Sequence, residues 1–321
     1  MSRSVNTVWN GCREIQEQAF SFHHRWLSRF DLQNLCKGTS KELGIAAATV
    51  QMVCQRYNDS RRTNRKARLR WRGKKSLGWV PLRGDTLKIE RDMIRYAGHT
   101  FRFWNSRPLP GPVKTGCFSQ DARGRWYVSL QCEVKELEPI EDSTAGIDLG
   151  LKTLATLSDG KIVENPRFFR TFEQQLGDAQ RKKQKRRVRK IHACITNSRK
   201  DFLHKETTKL ANSYSIIVVG DISSKKLKKT RMAKSVSDIG WSMFRTFLEY
   251  KMRLRAGKFI SVNERNTTRA CSCCGGIPAS APKGRKGLSI REWQCSDCGT
   301  SHDRDHNAAQ NILALGVSSA G

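Results

Sequence analysis

Apolar residues recur at every third or fourth position over residues 5–30, which is the period of one face of an α-helix. A second helical segment follows, "KELGIAAATVQMVCQRY", and Thr39 with Glu42 three residues later fits a capping box at its start. The turn within "LGIAAATV" also fits the middle of a helix-turn-helix. Two alternatives therefore stay open for this region: a packed helical lobe with a basic exit, or a helix pair that reads a DNA groove.

The pattern changes to strands between residues 78 and 140. In "RWYVSLQCEV" every second residue from Trp126 to Val134 is apolar, which predicts a half-buried antiparallel strand. The polar and acidic segment "KELEPIEDST", residues 135–144, predicts a linker, and we place a domain boundary there.

Beyond the linker the sequence predicts the order β-β-α-β-α-β, which fits a mixed sheet flanked by helices. Its first two strands lie in "AGIDLGLKTLATLSDGKIV", with a tight turn at Asp159-Gly160. The later elements are a long basic helical segment (168–212), a buried strand (215–222), a helix (240–256) and a strand (258–263). We therefore expect an α+β multidomain protein.

The net charge of the chain indicates the class of its binding partner. The 321 residues include 60 Lys and Arg against 29 Asp and Glu, a formal net charge of +31. Basic residues are concentrated in three blocks, residues 61–75, 181–190 and 225–234. Such a surplus predicts a polyanionic partner, and nucleic acid is the one we expect. The sequence contains no secretory signal and no stretch long enough to span a bilayer, so we expect no membrane association and a place in the prokaryotic cytosol or nucleoid.

Cysteine spacing gives the strongest local signal. Cys271 and Cys274 form one Cys-x2-Cys pair, Cys295 and Cys298 form another, and 20 residues separate the pairs. Four thiolates in this arrangement supply the full tetrahedral ligand set of Zn²⁺. A closed set of four thiolates leaves no position for water, so the predicted zinc is structural rather than catalytic. Cys273 lies between two ligands, and we expect it to be a bystander.

Acidic residues in apolar surroundings indicate a second site. Asp148 lies in the strand "GIDLGL", where an unpaired carboxylate is costly to bury unless it binds a cation. Asp305 opens the helix in "SHDRDHNAAQNILAL", where it could be a metal ligand or only a cap. Singly, each acid could be structural.

Together these motifs resemble the TnpB family, the RNA-guided nucleases encoded by insertion sequences and ancestral to the type V CRISPR effectors. The resemblance rests on "GIDLGLKTLATLSDG", "NSRKDFLHKETTKLANSYSIIVVGD", the two cysteine pairs and "HDRDHNAAQNIL", and it covers residues 123–315. It implies a helical recognition lobe, a β-barrel-like wedge domain and an RNase H-like RuvC nuclease domain with an inserted zinc ribbon. We place these at residues 1–76, 77–140 and 141–321, with the ribbon at 269–300.

The resemblance also assigns catalytic roles. It makes Asp148 the first acid and Asp305 the last, with Asp303 in support, and it implies two catalytic Mg²⁺ ions held by carboxylate oxygens. The family's third acid, a glutamate at the end of the central strand, is replaced by Gly220. Three alternatives follow: Asp221 supplies the acid, Glu264 supplies it from a neighbouring strand, or the acid is lost. We expect Glu264, because adjacent strand positions face opposite ways and would point Asp221 elsewhere.

The function that the resemblance implies is RNA-guided cleavage of target DNA next to a short flanking motif, by a monomeric ribonucleoprotein that contains a guide RNA. The basic helix 181–205 would face the backbone of the RNA–DNA heteroduplex. A nuclease-inactive, RNA-guided DNA-binding repressor is the alternative that Gly220 motivates. A guide-independent transposase with a nucleophilic tyrosine is disfavoured, because the sequence contains no His-x-His pattern.

Overall fold

A computed structural model gives the fold of the chain as two compact units, Met1–Val134 and Lys135–Gly321. The structure describes residues 1–66, 68–135, 137–138, 143–222, 233–284 and 286–318. The predicted basic stretch at 225–232 lies outside the described residues, as do positions 136 and 139–142 of the predicted linker.

The first unit contains helices and then strands. Its helices are α1 (Ser2–His23), α2 (Arg29–Leu35), α3 (Thr39–Glu42) and α4 (Ala47–Thr63). Its strands are β1 (Trp79–Arg83), β2 (Lys88–Glu90), β3 (Met93–Tyr96), β4 (His99–Arg102), β5 (Val113–Gln120) and β6 (Trp126–Cys132). One apolar core joins the inner faces of α1, α2 and α4 to residues of β1 and β3.

The helical region differs from its prediction at two points. The periodic segment 5–30 is not one helix, because α1 ends at His23 and His24 adopts a left-handed conformation. The capping box predicted at Thr39 is wrong, since Thr39 already lies inside α3 and Gly38 precedes it without a side-chain cap. A capping box occurs instead at the start of α2, where Ser28 and Asp31 each accept the other's backbone N–H.

The strands of the first unit form two three-stranded antiparallel sheets, ordered β1-β5-β6 and β2-β3-β4. The predicted half-buried strand is β6, which pairs with β5 from Val113↔Cys132 to Gln120↔Trp126. Alternate residues of β6 are partly buried, as the sequence pattern indicates. Closure of these strands into a barrel stays a prediction.

The second unit is built on a five-stranded sheet of order β11-β10-β7-β8-β9. β7, β10 and β11 are parallel, whereas β7, β8 and β9 pair antiparallel in a meander. The segment predicted to hold two strands holds three, because β7 ends at Leu149, and the predicted turn at Asp159-Gly160 joins the second and third. The strands are β7 (Thr144–Leu149), β8 (Thr153–Leu157), β9 (Ile162–Glu164), β10 (Ile216–Gly220), β11 (Lys258–Val262), and the separate hairpin β12 (Glu292–Gln294) and β13 (Ser301–Asp303). The helices are α5 (Phe168–Arg181), α6 (Lys185–Ser213), α7 (Ala233–Ile239), α8 (Trp241–Leu254) and α9 (Arg304–Ser318).

The long basic segment forms a helical hairpin rather than one helix. It breaks between α5 and α6, where Lys183 has a φ of 52°. Leu176 and Ala179 of α5 pack on Ile191 and Ile195 of α6, so the hairpin has a small core of its own. The connection and first turns of α6 form a basic tip, residues 181–190, which carries eight Lys and Arg, all exposed. None of the helices in the described ranges is long and apolar enough to cross a bilayer.

Close packing of α9 on the sheet positions the end of β7. A Cβ atom added at Gly146 would lie 2.1 Å from the Ala309 carbonyl oxygen, so only glycine lets the strand and helix approach this closely. Ala308, Ala309 and Ile312 of α9 are fully buried. The first turn of α9 therefore lies beside the carboxyl end of β7.

Candidate active site and metal centre

A cavity of about 400 Å³ opens at the carboxyl ends of the parallel strands, and three of the predicted acids line it. Asp148 is the second-last residue of β7, Glu264 lies in the loop after β11, and Asp305 lies in the first turn of α9. Arg291 and Arg304 line the same cavity. Residues separated by more than 150 positions in the chain are thus brought to one place.

Asp148 is the most electrostatically perturbed of these acids. Burial, and then the negative charges of Asp305 and Glu264, raise the pKa of its carboxyl to about 8. The charge of Arg304 acts in the opposite direction and lowers this pKa. A carboxylate that is largely shielded from water and surrounded by other acids fits a cation site, because a bound cation would offset both penalties.

Glu264 occupies the space that a side chain at position 220 would need. A Cβ atom added at Gly220 would lie 2.9 Å from Glu264 Oε2 and 3.3 Å from Glu264 Cβ. Gly220 ends β10 and pairs with Val262 of β11, so the longer glutamate reaches over from the neighbouring strand. Burial, and then the charge of Asp221, raises the pKa of Glu264, while Arg245 lowers it.

Asp221, the alternative acid, points away from the cavity. Its Oδ1 accepts a hydrogen bond of 2.6 Å from Arg245 Nη1, and its side chain is 64% exposed. Arg245 Nη2 also donates to Ser261 Oγ, which holds the pair on the outside of the sheet. The side-chain alternation along β10 accounts for this placement.

Two arginines hold the Asp305 carboxylate. Arg291 Nη1 donates to Oδ2 at 2.6 Å, and Arg304 Nη2 donates to Oδ1 at 2.8 Å. Asp305 is not the helix cap that the sequence left open, because Asp303 Oδ1 accepts the backbone N–H groups of Asp305 and His306. Sequence reasoning missed both arginines, although each lies close to an acid in "SIREW" and "DRDH".

The four predicted cysteines form one cluster, with ligand atoms all within 4.8 Å of one another. The Sγ atoms of Cys271 and Cys298 lie 3.6 Å apart, and those of Cys274 and Cys295 lie 3.8 Å apart. Zn–S bonds of about 2.3 Å in a tetrahedron place the sulfurs about 3.8 Å from one another, so the cluster fits zinc. Cys273 is exposed and outside the cluster.

The zinc cluster is tied to the helix that carries Asp305. Asn307 of α9 is 1% exposed, and its Oδ1 accepts the backbone N–H of Ser272 at 2.9 Å. Its Nδ2 donates to the Ala270 carbonyl oxygen at 2.8 Å. Sequence reasoning missed Asn307, whose signal is a polar residue on the apolar face of a helix.

Comparisons with known proteins agree with the sequence motifs. A model described as "Cas12f1-like, TNB domain" matches residues 241–312, and a model described as "Probable transposase" (OrfB_IS605) matches residues 127–231.

Curated relatives extend the match. A protein named "Putative RNA-guided DNA endonuclease" from Streptomyces pristinaespiralis is 38% identical over 233 residues, which are 67% of this chain and 56% of that protein. "Putative RNA-guided DNA endonuclease InsQ" of Escherichia coli (strain K12) is 33% identical over 245 residues, which are 67% of this chain and 60% of that protein. "TnpB-like protein L79" of Acanthamoeba polyphaga mimivirus is 26% identical over 243 residues, 66% of this chain and 45% of that protein. The chain thus spans about half the length of the relatives it matches, and it belongs to the TnpB family.

Proposed function

We propose that the chain is an RNA-guided DNA endonuclease that hydrolyses phosphodiester bonds at the cavity between Asp148, Glu264 and Asp305. The observation that carries this proposal is the convergence of three carboxylates on one cavity, where their mutual repulsion and burial raise the pKa of Asp148. The names of the two bacterial relatives, as RNA-guided DNA endonucleases, support the same activity.

The second unit is proposed to be an RNase H-like (RuvC) nuclease domain over residues 141–321. Its sheet supports this: an antiparallel meander of the first three strands is extended by two parallel strands beside the first, in the order β11-β10-β7-β8-β9. The zinc ribbon, residues 269–300, would be an insertion between the last strand of that sheet and its last helix. In the first unit, residues 1–76 and 77–140 are proposed as recognition lobe and wedge domain.

The carboxylates would hold two Mg²⁺ ions, which supply charge stabilisation on the attacking and leaving oxygens of the phosphodiester. Burial and the neighbouring acids raise the pKa of Asp148 to about 8 in the metal-free protein, so its carboxyl would release a proton on holding a cation. Glu264 supplies the oxygen ligand that Gly220 cannot. Asp221, with its carboxylate in an exposed ion pair, takes no part.

Arg291 is proposed to bind the substrate phosphate. The Arg291 side chain lines the cavity and is 40% exposed, and its Nη1 donates to Asp305 Oδ2. If Asp305 held a cation, the Arg291 guanidinium would be free to donate to a phosphate oxygen, for which its planar fork is suited.

Guide RNA and target DNA are the proposed partners. The net charge of +31 and the exposed basic tip at residues 181–190 support contact with a nucleic-acid backbone, which requires charge rather than base readout. The monomeric ribonucleoprotein and its cytosolic location stay predictions.

The inactive repressor is not favoured. Gly220 motivated it, but the carboxylate of Glu264 lies where a side chain at position 220 would begin. The cavity therefore keeps a third acid from a different strand.

Cleavage by the purified ribonucleoprotein tests the proposal. The protein is co-expressed with RNA from its own locus, and Mg²⁺-dependent cutting of a matched target is measured alongside target binding. We expect wild type and Asp221→Ala to cut, and Asp148→Ala and Glu264→Ala to bind the target without cutting. Binding without cutting by wild type would support the repressor, and equal cutting by wild type and Asp148→Ala would place the activity elsewhere.

A further inference from the structure

Three cysteines of the first unit converge in its apolar core. Cys12 lies on α1, Cys36 follows the last residue of α2, and Cys54 lies on α4. Cys12 and Cys54 are 0% exposed and Cys36 is 8% exposed. Their sulfur atoms all lie within 4.8 Å of one another. No local spacing relates these positions, so the cluster is a product of helix packing.

The dimensions of this cluster match those of a metal–thiolate site. The Sγ atoms of Cys12 and Cys54 are 3.6 Å apart, the same separation as between Cys271 and Cys298 in the zinc ribbon. Three sulfurs at about 2.3 Å from one ion lie about 3.8 Å apart in a tetrahedral set and about 4.0 Å apart in a planar one. The observed 3.6 Å and the limit of 4.8 Å bracket both values.

The chemistry of the cluster also favours a cation. Three sulfur atoms meet inside an apolar core, where the negative charge of a thiolate is costly unless it is compensated. A soft ion bound by all three sulfurs would compensate it.

One polar group on the same helix as Cys54 suits a bound thiolate. Tyr57, one turn beyond Cys54, is fully buried, and its hydroxyl has no hydrogen-bond partner among the described residues. Burial raises the pKa of Tyr57 to about 12, so the phenol stays a neutral donor. A neutral donor one turn from a ligand is the kind of group that stabilises a metal-bound thiolate.

We propose that Cys12, Cys36 and Cys54 form a second metal site, which binds a soft, thiophilic ion of the Zn²⁺ or Cu⁺ class and ties together α1, the end of α2 and α4. Thiolate ligands select these ions. The site is separate from the zinc ribbon, whose four cysteines all belong to the second unit. It does not depend on the proposed nuclease activity.

Metal content of the full chain, purified under reducing conditions, gives the first test. We expect two metal equivalents per chain in wild type, one in Cys36→Ser and one in the ribbon variant Cys274→Ser/Cys298→Ser. Cys132→Ser, which changes a cysteine of β6 outside both clusters, is the matched control and should keep two.

The ribbon variant decides the matter even if Cys36→Ser does not fold, because its three-cysteine cluster is intact. Zn²⁺ and Cu⁺ are added separately to this variant, and one equivalent of ion should bind. Binding should produce a thiolate-to-metal absorption band and raise the melting temperature of the variant. The ion that binds more tightly identifies the occupant of the site. A native circular dichroism spectrum with binding of neither ion would overturn the proposal. An intact mass that reports a disulfide between two of the three cysteines in the freshly purified protein would overturn it too.

Discussion

A single methyl group at Gly220 probes whether Glu264 supplies the missing acid. In Gly220→Ala the new Cβ atom would lie 2.9 Å from Glu264 Oε2, against an ordinary contact of at least 3.4 Å. The carboxylate must therefore move by about 0.5 Å, because Ile312 Cδ1, 3.2 Å from the same Cβ, blocks the other side. Since a misplacement of about 1 Å can cost about 10²-fold in rate, a shift of half that size predicts a loss of about tenfold.

Removal of the acid itself should cost more. Glu264→Ala deletes a proposed carboxylate ligand of the Mg²⁺ ions that would stabilise the transition state, for which a loss of at least about 10²-fold is expected. In the Glu264→Ala background, Gly220→Ala should cost nothing further, because the atom it would displace is gone. Gly220→Glu in the same background restores a carboxylate at the end of β10 and should cut faster than Glu264→Ala alone.

The assay is the single-turnover rate of cleavage of a matched target at saturating Mg²⁺, with target binding measured on the same complexes. Asp221→Ala is the control, because it removes a neighbouring acid whose side chain is exposed and should change the rate less than about twofold. The reasoning is refuted if Glu264→Ala cuts as fast as wild type. It is also refuted if Gly220→Ala costs as much without Glu264 as with it.

Three further outcomes are expected. In Mg²⁺-free buffer the raised pKa of Asp148 means that the folding stability it contributes falls as pH rises from about 4 to about 8. Asp148→Asn should therefore be more stable than wild type, by at most about 4 kcal/mol at pH 7 in urea unfolding, and a stability difference between the two proteins that is the same at pH 4 and pH 7 would contradict this. Arg291→Ala frees Asp305 from a half-exposed ion pair, so the Mg²⁺ concentration for half-maximal cleavage should fall by up to about fivefold, whereas a rise would mean that the arginine does not compete with the cation. Replacement of Arg186 and Arg187 in the basic tip by alanine should weaken guide-RNA binding and reduce the slope of log affinity against log salt by about 1 to 2, and an unchanged slope would remove the tip from the interface.

Local sequence signals predicted the elements and residues whose environment is set within one turn or strand. The two Cys-x2-Cys pairs needed only the short range of a knuckle, and the apolar run around Asp148 needed only the alternation of a strand. The wrong capping box at Thr39 shows the limit of such signals, since the same motif chemistry occurs at Ser28 and Asp31. A short polar motif names a possible cap, but packing decides where the helix begins.

Long-range convergence was not readable from the sequence. Arg291 meets Asp305 through the β12–β13 hairpin, and nothing in their separation of 14 residues indicates it. The sulfurs of Cys12, Cys36 and Cys54 come from three helices, so their approach depends on how those helices pack rather than on spacing. The position of Glu264 was inferred from the gap at Gly220, because a missing residue in a motif requires a substitute from a neighbouring strand.

The four-cysteine cluster and the cavity of the three acids are joined through one helix, α9. Asn307 accepts a backbone N–H next to Cys271 and donates to the carbonyl just before it, so the first knuckle of the ribbon is fixed to the first turns of α9. Asp305 lies two residues earlier on that helix, held between two arginines. Because Gly146 allows α9 to contact β7 directly, any shift of the knuckle is passed to the spacing between Asp305 and Asp148. A substitution that unfolds the four-cysteine cluster should therefore change the distance between Asp305 and Asp148, and with it the repulsion that raises the pKa of Asp148.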